Sequence, residues 1–306
     1  VEQLKSDLVV LESGNGNISL AAKYFPKEGR SLDKRYKVCE YIARLYFNDY
    51  RTLKDTICKR MRKEVISPLT EKIGLIERLM SNNEWDKIDF NLVPGRCLQL
   101  NKKAFLNMKK NTELRHPNCD IRNTCRENLI DHMENVSKGV GKLHGKQLFL
   151  NEIVNQFTNN TGLTKEEETL CELQWNDHYN HYKQMVDNGS GLDKTVVLAD
   201  FSASMLGEPI RVAAALALMV SSLSPAPWRN KFISFESNPH LIDIPDGSLS
   251  GKIKSVFSSP WGGSTNFLGA IQIILDVAVE NNLNADELPD KLIVVSDMQF
   301  DEAFVY

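Results

Sequence analysis

The feature that most constrains the fold is a pair of continuous apolar runs in the last third of the chain. Residues 195–200 read TVVLAD and residues 291–297 read KLIVVSD. Runs of β-branched residues without polar alternation are typical of parallel strands that helices cover on both faces. Between them, IRVAAALALMVSSL and NFLGAIQIILDVAVENN have helical periodicity, and NKFISFES and HLIDI read as further strands. Strands alternating with helices predict a doubly wound α/β domain.

The chain before this domain predicts helices and loops. Apolar residues recur every three or four positions from residue 34 to 80, and Ser67-Pro68 interrupts the pattern and restarts it. Residues 81–100 read as a loop with a Pro-Gly turn, and NKKAFLNMKKN reads as a short helix after it. The run Asn188-Gly189-Ser190-Gly191 resembles a linker. We therefore expect a mainly helical region at 1–188 and an α/β domain at 189–306, which is an α plus α/β fold class.

Composition and cysteine usage favour an intracellular globular protein. Of 306 residues, 42% are hydrophobic and 25% are charged, a balance typical of globular domains. No run reaches the roughly 18 apolar residues of a membrane span, and the first residues lack the pattern of a signal peptide. The six cysteines are scattered without a Cys-x-x-Cys pair, which is consistent with reduced thiols. We expect a cytoplasmic location and no membrane contact.

Charge is distributed unevenly along the chain. Residues 1–150 hold 28 Lys and Arg against 19 Asp and Glu, whereas residues 151–306 hold 9 against 21. The formal net charge of −3 therefore conceals a basic first half and an acidic second half. Such asymmetry indicates that a polyanion would bind the first half and a cation the second.

Polar side chains cluster where the predicted parallel strands end. Asp200 ends the first strand, with Ser202 and Ser204 at alternate positions after it, and Asp297 ends the last strand. Between them, PWGGSTNF holds Thr265 in a glycine-rich turn. If the two strands are neighbours, these loops meet at the edge where open α/β sheets bind ligands. Their sparse oxygen set suits Mg²⁺, which keeps several waters when few carboxylates are supplied. The alternative is ordinary capping and turn chemistry, which would have to explain three loops at once.

At these residues the sequence resembles the von Willebrand factor A (vWA) family and its metal-ion-dependent adhesion site. The D-x-S-x-S motif of that site matches Asp200, Ser202 and Ser204, its threonine matches Thr265, and its last aspartate matches Asp297. The resemblance implies a Rossmann-like fold that holds Mg²⁺ or Mn²⁺. It also implies a partner protein whose carboxylate completes the coordination of the metal.

The resemblance extends over most of residues 35–305. PWGGSTNF, VVSDMQFDEA, SPLTEKIGLIERLMSNNEWDKIDF and VPGRCLQLNKKAFL look like an uncharacterised family of plants, fungi and giant viruses, in which a helical region precedes a vWA domain. That arrangement is similar to the TROVE proteins, the Ro autoantigen group, where a helical-repeat ring binds RNA. A vWA sheet usually has two more strands after the third loop. We therefore expect that the last strands are missing and that residues 292–295 form an apolar edge. Either the sequence is a fragment, which we favour, or a partner covers that edge.

RNA binding through the basic half is the alternative function. CKRMRKE and NKKAFLNMKKN, within residues 34–110, carry cations, with Tyr46, Tyr50 and Phe105 nearby for base stacking. The same residues are also compatible with a solvated helix face beside core aromatics.

The sequence predicts a protein that is not an enzyme. Phosphatases and mutases with a strand-end aspartyl nucleophile need a second acid two residues later, where this chain has Ser202. There is no phosphate-binding G-x-x-x-x-G-K-[ST] loop and no G-x-S-x-G nucleophile turn. His178 and His181 could form a zinc site with Cys171 or Asp177, or could simply lie on an exposed helix face.

Overall fold

The computed structural model describes residues 1–14, 16–110, 112–159, 162–189, 191–192, 194–259 and 266–297. Thr265 therefore lies outside the described residues. The chain forms two compact units, Val1–Ile88 and Asp89–Tyr306. The boundary that the sequence predicts near residue 188 marks a change from helical to strand-like patterns, whereas the two compact units divide between Ile88 and Asp89.

The first unit is helical throughout its described part. Its core consists of apolar side chains from four of the helices and the loops between them, including the fully buried Ala43, Ile57 and Leu69. The helices are α1 (Glu2–Ser13), α2 (Ser31–Tyr36), α3 (Val38–Phe47), α4 (Lys54–Met61), α5 (Ser67–Ile73) and α6 (Ile76–Ser81), and a 3-10 turn covers Trp85–Lys87.

The interruption predicted at Ser67-Pro68 is a widened turn rather than a break. One π-helical turn, Arg62–Ile66, joins α4 to α5, and the Ser67 N–H donates to the carbonyl of Arg62, five residues back. Pro68 has no N–H, and its ring would collide with the carbonyl four residues earlier in a regular α-helix. The wider turn relieves this conflict and lets the chain continue as a helix. Helices within residues 34–80 end instead at Lys37, Asn48 and Gly74, which have φ values of 50°, 50° and 71°.

In the second unit, helices precede and then surround the sheet. They are α7 (Gly95–Phe105), α8 (Asp120–Ser137), α9 (Leu150–Asn159) and α10 (Lys165–Asp187), with a 3-10 turn at Gly145–Gln147. The loop predicted for residues 81–100 is wrong at its end, because Pro94-Gly95 begins α7. Gly95 is needed there, since a Cβ atom would lie 1.9 Å from the carbonyl oxygen of His144.

Four strands form an open, mixed sheet in the order β3-β2-β1-β4. The strands are β1 (Thr195–Asp200), β2 (Lys231–Phe235), β3 (Leu241–Asp243) and β4 (Lys291–Val295). Between them lie α11 (Glu208–Leu223), α12 (Leu249–Phe257) and α13 (Phe267–Glu280), with 3-10 turns at Ala203–Met205 and Ala285–Glu287. β1 pairs in parallel with both β2 and β4, and β3 is antiparallel to β2. The four strands match the four predicted segments.

Helices pack on both faces of this sheet. Val197 and Ala199 of β1 contribute to a core shared with α9, α10, α11 and α12. Val196 and Leu198, which point the other way, contribute to a core shared with α13. Alternating side chains are thus buried on both sides, which explains why β1 carries no polar alternation.

β4 pairs with β1 alone among the described strands and is partly exposed along its length. Within the same part of the chain, none of the helices combines the length and apolar character needed to cross a lipid bilayer.

Candidate metal centre

Asp200 and Asp297 lie at the same edge of the sheet. β1 and β4 are parallel neighbours, in register up to the pair Ala199 and Val295. Asp200 is the last residue of β1, and Asp297 follows β4 by two residues. The sheet order therefore meets the condition that the sequence analysis set for a shared site.

The Asp200 carboxylate is fully buried, and both of its oxygens accept hydrogen bonds. Oδ1 accepts from the Ser202 backbone N–H at 2.8 Å, and Oδ2 accepts from the Ser296 hydroxyl at 2.8 Å. Among the described residues, no lysine or arginine forms an ion pair with Asp200. Because burying a carboxylate is costly without compensation, these two donors stabilise its position.

Ser202 and Ser204 place two hydroxyl oxygens side by side. Their Oγ atoms lie 2.9 Å apart, where either can donate to the other. The 3-10 turn after Ser202 produces this approach, since the Met205 N–H donates to the Ser202 carbonyl at 3.1 Å. Ser202 is buried and Ser204 is exposed, so the pair of hydroxyls extends from the interior to the surface.

Asn266, the residue after Thr265 in the sequence, lies at this edge. Thr265 itself is not among the described residues, but Asn266 is tied to the end of β2. Its N–H donates to the Glu236 carbonyl at 3.1 Å, and its side chain both donates to the Ser237 carbonyl and caps α13. Phe235 pairs with Asp200 across the sheet, so Asn266 is held one strand away from the carboxylate.

Two residues at this edge were missed by the sequence analysis. Ser296 is the second donor to Asp200, and Glu236 is a buried acid just past β2. The Glu236 carboxylate accepts from the Ser234 hydroxyl at 2.9 Å and lies 3.4 Å from His240 Nδ1. Both residues lie near the ends of predicted strand segments, NKFISFES and KLIVVSD. The signal that selects Asp200 and Asp297, a polar side chain at the end of a strand, therefore applies to them as well.

The donor chemistry of this edge fits a hard cation held by few protein ligands. The described residues contain no group of three or more His, Cys, Asp or Glu side chains that could hold a metal. A cation here would instead depend on two carboxylates, neighbouring hydroxyls and water, the coordination that Mg²⁺ accepts and zinc sites avoid.

Two family models match the chain. One, described as a domain of unknown function (DUF2828), matches residues 1–188, and another, described as a domain of unknown function (DUF7788), matches residues 194–305. The chain belongs to the DUF2828 family. It is 27% identical over 305 residues to an uncharacterized protein of Acanthamoeba polyphaga mimivirus, covering 98% of this chain and 50% of the viral protein. The chain thus spans about half the length of that relative. No solved structure matches.

His178 and His181 both belong to α10, within the residues that match DUF2828, but His178 does not lie on the surface. His178 is buried, and its Nε2 donates to the Leu148 carbonyl at 3.0 Å. Burial lowers the pKa of His178 below its usual value. The expectation of an exposed helix face is therefore wrong for His178, and the ring serves to join α10 to the chain before α9.

Burial removes several residues from the predicted RNA-binding set. Phe105 is fully buried, so it cannot stack on a base, and Tyr46 is half-buried. Lys102 is also buried, donating to Gln156 at 2.9 Å and lying 3.8 Å from the Glu167 carboxylate. Tyr50 remains available, with 60% of its surface exposed.

Proposed function

We propose that this chain is a non-enzymatic, metal-dependent binding protein whose vWA-type site engages an acidic group of a partner protein. The observation that carries the proposal is the buried Asp200 carboxylate, which accepts from the Ser202 N–H and lies at the end of a strand next to the one that Asp297 follows. The Ser202 and Ser204 hydroxyls, just after Asp200 in the chain, contact each other. A buried acid without a basic partner at the carboxyl edge of a parallel sheet is consistent with cation binding.

Mg²⁺ or Mn²⁺ would be held by five side chains, Asp200, Ser202, Ser204, Thr265 and Asp297, directly or through water. Such a cation, neutralised by only two carboxylates, would stay electrophilic and attract a further anionic oxygen. The chain's own residues would orient the ligands, since the Ser202 N–H and the Ser296 hydroxyl hold Asp200 in place. A partner carboxylate is the anion that we assign to the open position.

The wider assignment to a Rossmann-like, vWA-containing protein of TROVE-type architecture belongs to the same proposal. Its support is a mainly parallel sheet with helices on both faces. We also propose a cytoplasmic location.

Direct Mn²⁺ binding tests the proposal. Electron paramagnetic resonance of Mn²⁺ added to the 306-residue chain should reveal one binding site, and added Mg²⁺ should displace the Mn²⁺ from it. Ser204→Ala should weaken binding, because it removes the exposed hydroxyl of the pair. The control is Ser222→Ala, which should leave metal binding unchanged. It removes a hydroxyl on α11 that donates to the Met219 carbonyl. Equal binding by both variants would contradict the assignment.

RNA binding by the first unit is the second candidate, favoured by one specific observation. Four tyrosines of this unit, Tyr24, Tyr36, Tyr41 and Tyr50, are each 59% to 75% exposed. They occur among the lysines and arginines of the basic half, and the Arg35 guanidinium lies 5.2 Å from the centre of the Tyr36 ring. Exposed aromatic rings with cations are the components of single-strand binding surfaces.

Salt dependence separates the two candidates. Filter binding of single-stranded RNA should weaken steeply with salt, with a logarithmic slope of about −0.7 for each phosphate contacted. Tyr36→Ala should reduce RNA affinity, whereas Asp200→Asn should not. RNA binding that is absent, or insensitive to salt and to Tyr36→Ala, would eliminate this candidate.

A further inference from the structure

The second unit contains a cleft that is separate from the candidate metal centre. It has a volume of about 720 Å³ and lies between α10, α11 and the segment that joins β3 to α12. Arg229 and Asn230, which precede β2, line it, as do residues 244 and 246–249 after β3. Asp200 is at the carboxyl end of β1, and β2 runs parallel to β1. Since Arg229 and Asn230 precede β2, the cleft lies at the amino ends of these strands, opposite the candidate metal centre.

One wall of the cleft carries aromatic and aliphatic side chains. Trp175 and Tyr179 are one helical turn apart on α10 and both line the cleft, as do Leu218 of α11 and Ile244. Trp175, Leu218 and Ile244 are each at least 92% buried, so packing sets their positions. Tyr179 is partly exposed, and its ring is the one that a planar ligand can contact.

The cleft also contains two cations that have no acidic partner. In the described part of the chain, neither Arg229 nor Lys252 forms an ion pair or a hydrogen bond through its side chain. The two acids that line the cleft have other partners. Glu172 accepts from the Leu249 N–H at 3.0 Å, and Asp246 accepts from the Asn230 side chain at 3.4 Å.

The N-terminus of α12 contributes little to direct binding, because most of its N–H groups are occupied. Glu172 accepts one, and the Ser248 hydroxyl accepts another from Gly251 at 3.2 Å. The cations, rather than the helix, are therefore the groups that an anion would contact.

We propose that this cleft binds a small organic anion that combines a planar ring with a phosphate, the chemistry of a nucleotide. The ring would lie against Tyr179, whose position the buried Trp175 supports, and the phosphate would contact Arg229 and Lys252. Ligand sites of this kind commonly measure about 300 to 1,000 Å³, a range that includes this cleft. The site is independent of the metal proposal, since it uses none of the residues at the other edge.

Calorimetric titration of the 306-residue chain with ADP, adenosine and inorganic phosphate, all in EDTA, tests the proposal. We expect ADP to bind with a Kd below about 1 mM. Adenosine and phosphate should each bind more weakly, because each offers half of the recognised chemistry. Arg229→Ala and Lys252→Ala should each weaken ADP binding about tenfold or more, since each removes a charged hydrogen bond, and should leave adenosine binding unchanged.

Matched variants make the outcome decisive. Lys254→Ala removes an exposed cation of the same helix that does not line the cleft, so ADP binding should be retained. Tyr179→Leu should weaken ADP and adenosine alike, with circular dichroism confirming that the variant is folded. The proposal is overturned if ADP does not bind at about 1 mM. It is equally overturned if Arg229→Ala and Lys252→Ala bind ADP as the parent does, or if phosphate alone binds as tightly as ADP.

Discussion

Asp200→Asn separates a structural role of this residue from a metal-binding one. The amide has the shape of the carboxylate, so its oxygen can still accept from the Ser202 N–H and its nitrogen can donate to the Ser296 hydroxyl. A hydrogen bond to a charged group contributes about 1 kcal/mol more than a neutral one, so two weaker bonds cost about 2 kcal/mol. Removing a buried charge offsets part of this cost. Without metal, the free energy of unfolding should therefore fall by less than about 2 kcal/mol.

With metal, the two proteins should diverge. A ligand at 100 times its Kd stabilises the folded state by about 2.7 kcal/mol. For a unit the size of Asp89–Tyr306, each kcal/mol raises the Tm by about 2 to 4 °C, so saturating Mg²⁺ should raise the parent Tm by roughly 5 to 10 °C. Asp200→Asn should show almost none of this increase, because a neutral amide is a poor ligand for a hard cation.

Differential scanning calorimetry across a Mg²⁺ titration measures both quantities in one series. Asp243→Asn is the matched control, since it makes the same substitution on β3, in a side chain that is 74% exposed. That variant should respond to Mg²⁺ as the parent does. The reasoning fails if Asp200→Asn keeps the full Mg²⁺ shift, or if neither Mg²⁺ nor Mn²⁺ shifts the parent.

Two further predictions concern stability alone. Gly95→Ala should lower the free energy of unfolding by about 2 kcal/mol or more in urea titrations, because its Cβ would overlap the His144 carbonyl. Gly251→Ala, in a helical position where the Cβ would meet only Ser248 Oγ at 3.4 Å, should raise it by about 0.5 to 1 kcal/mol, and the same sign for both would refute this. Hydrogen bonds from Thr52 lower the pKa of Asp49 to about 2 from 3.8. The resulting stabilisation should be complete above about pH 4 and disappear as pH falls through about 2, so Asp49→Ala and the parent should differ in stability more at pH 5 than at pH 2.

The elements that the sequence predicted best are those whose structure depends mainly on one property that a local pattern shows. β1 is buried on both faces and β4 is partly exposed, and a continuous apolar run predicted each of these strands. α12 was not predicted, because SLSGKIKSVF is short and rich in serine and glycine, and its stability comes from packing of Leu249, Ile253 and Val256 rather than from propensity.

The division into compact units depends on contacts that no local pattern contains. α9 and α10 precede the change in composition at Asn188-Gly189, yet Ile153 and Cys171 share a core with β1. The predicted boundary therefore follows sequence character, and the compact units follow long-range burial. Periodicity shows that these helices have an apolar face, but it does not identify the surface that the face contacts.

The same distinction explains what could be predicted about the candidate site. Residue type and strand ends were enough to select Asp200, Ser202, Ser204 and Asp297, but their proximity depends on the order of strands in the sheet. The hydrogen bond from Ser296 to Asp200 spans 96 residues, and it exists because β4 pairs with β1 rather than with β2. A strand order that separated β1 from β4 would preserve every local pattern and destroy the site. The motif therefore selects the candidate ligands, whereas the sheet order determines whether they lie close enough for the proposed metal site.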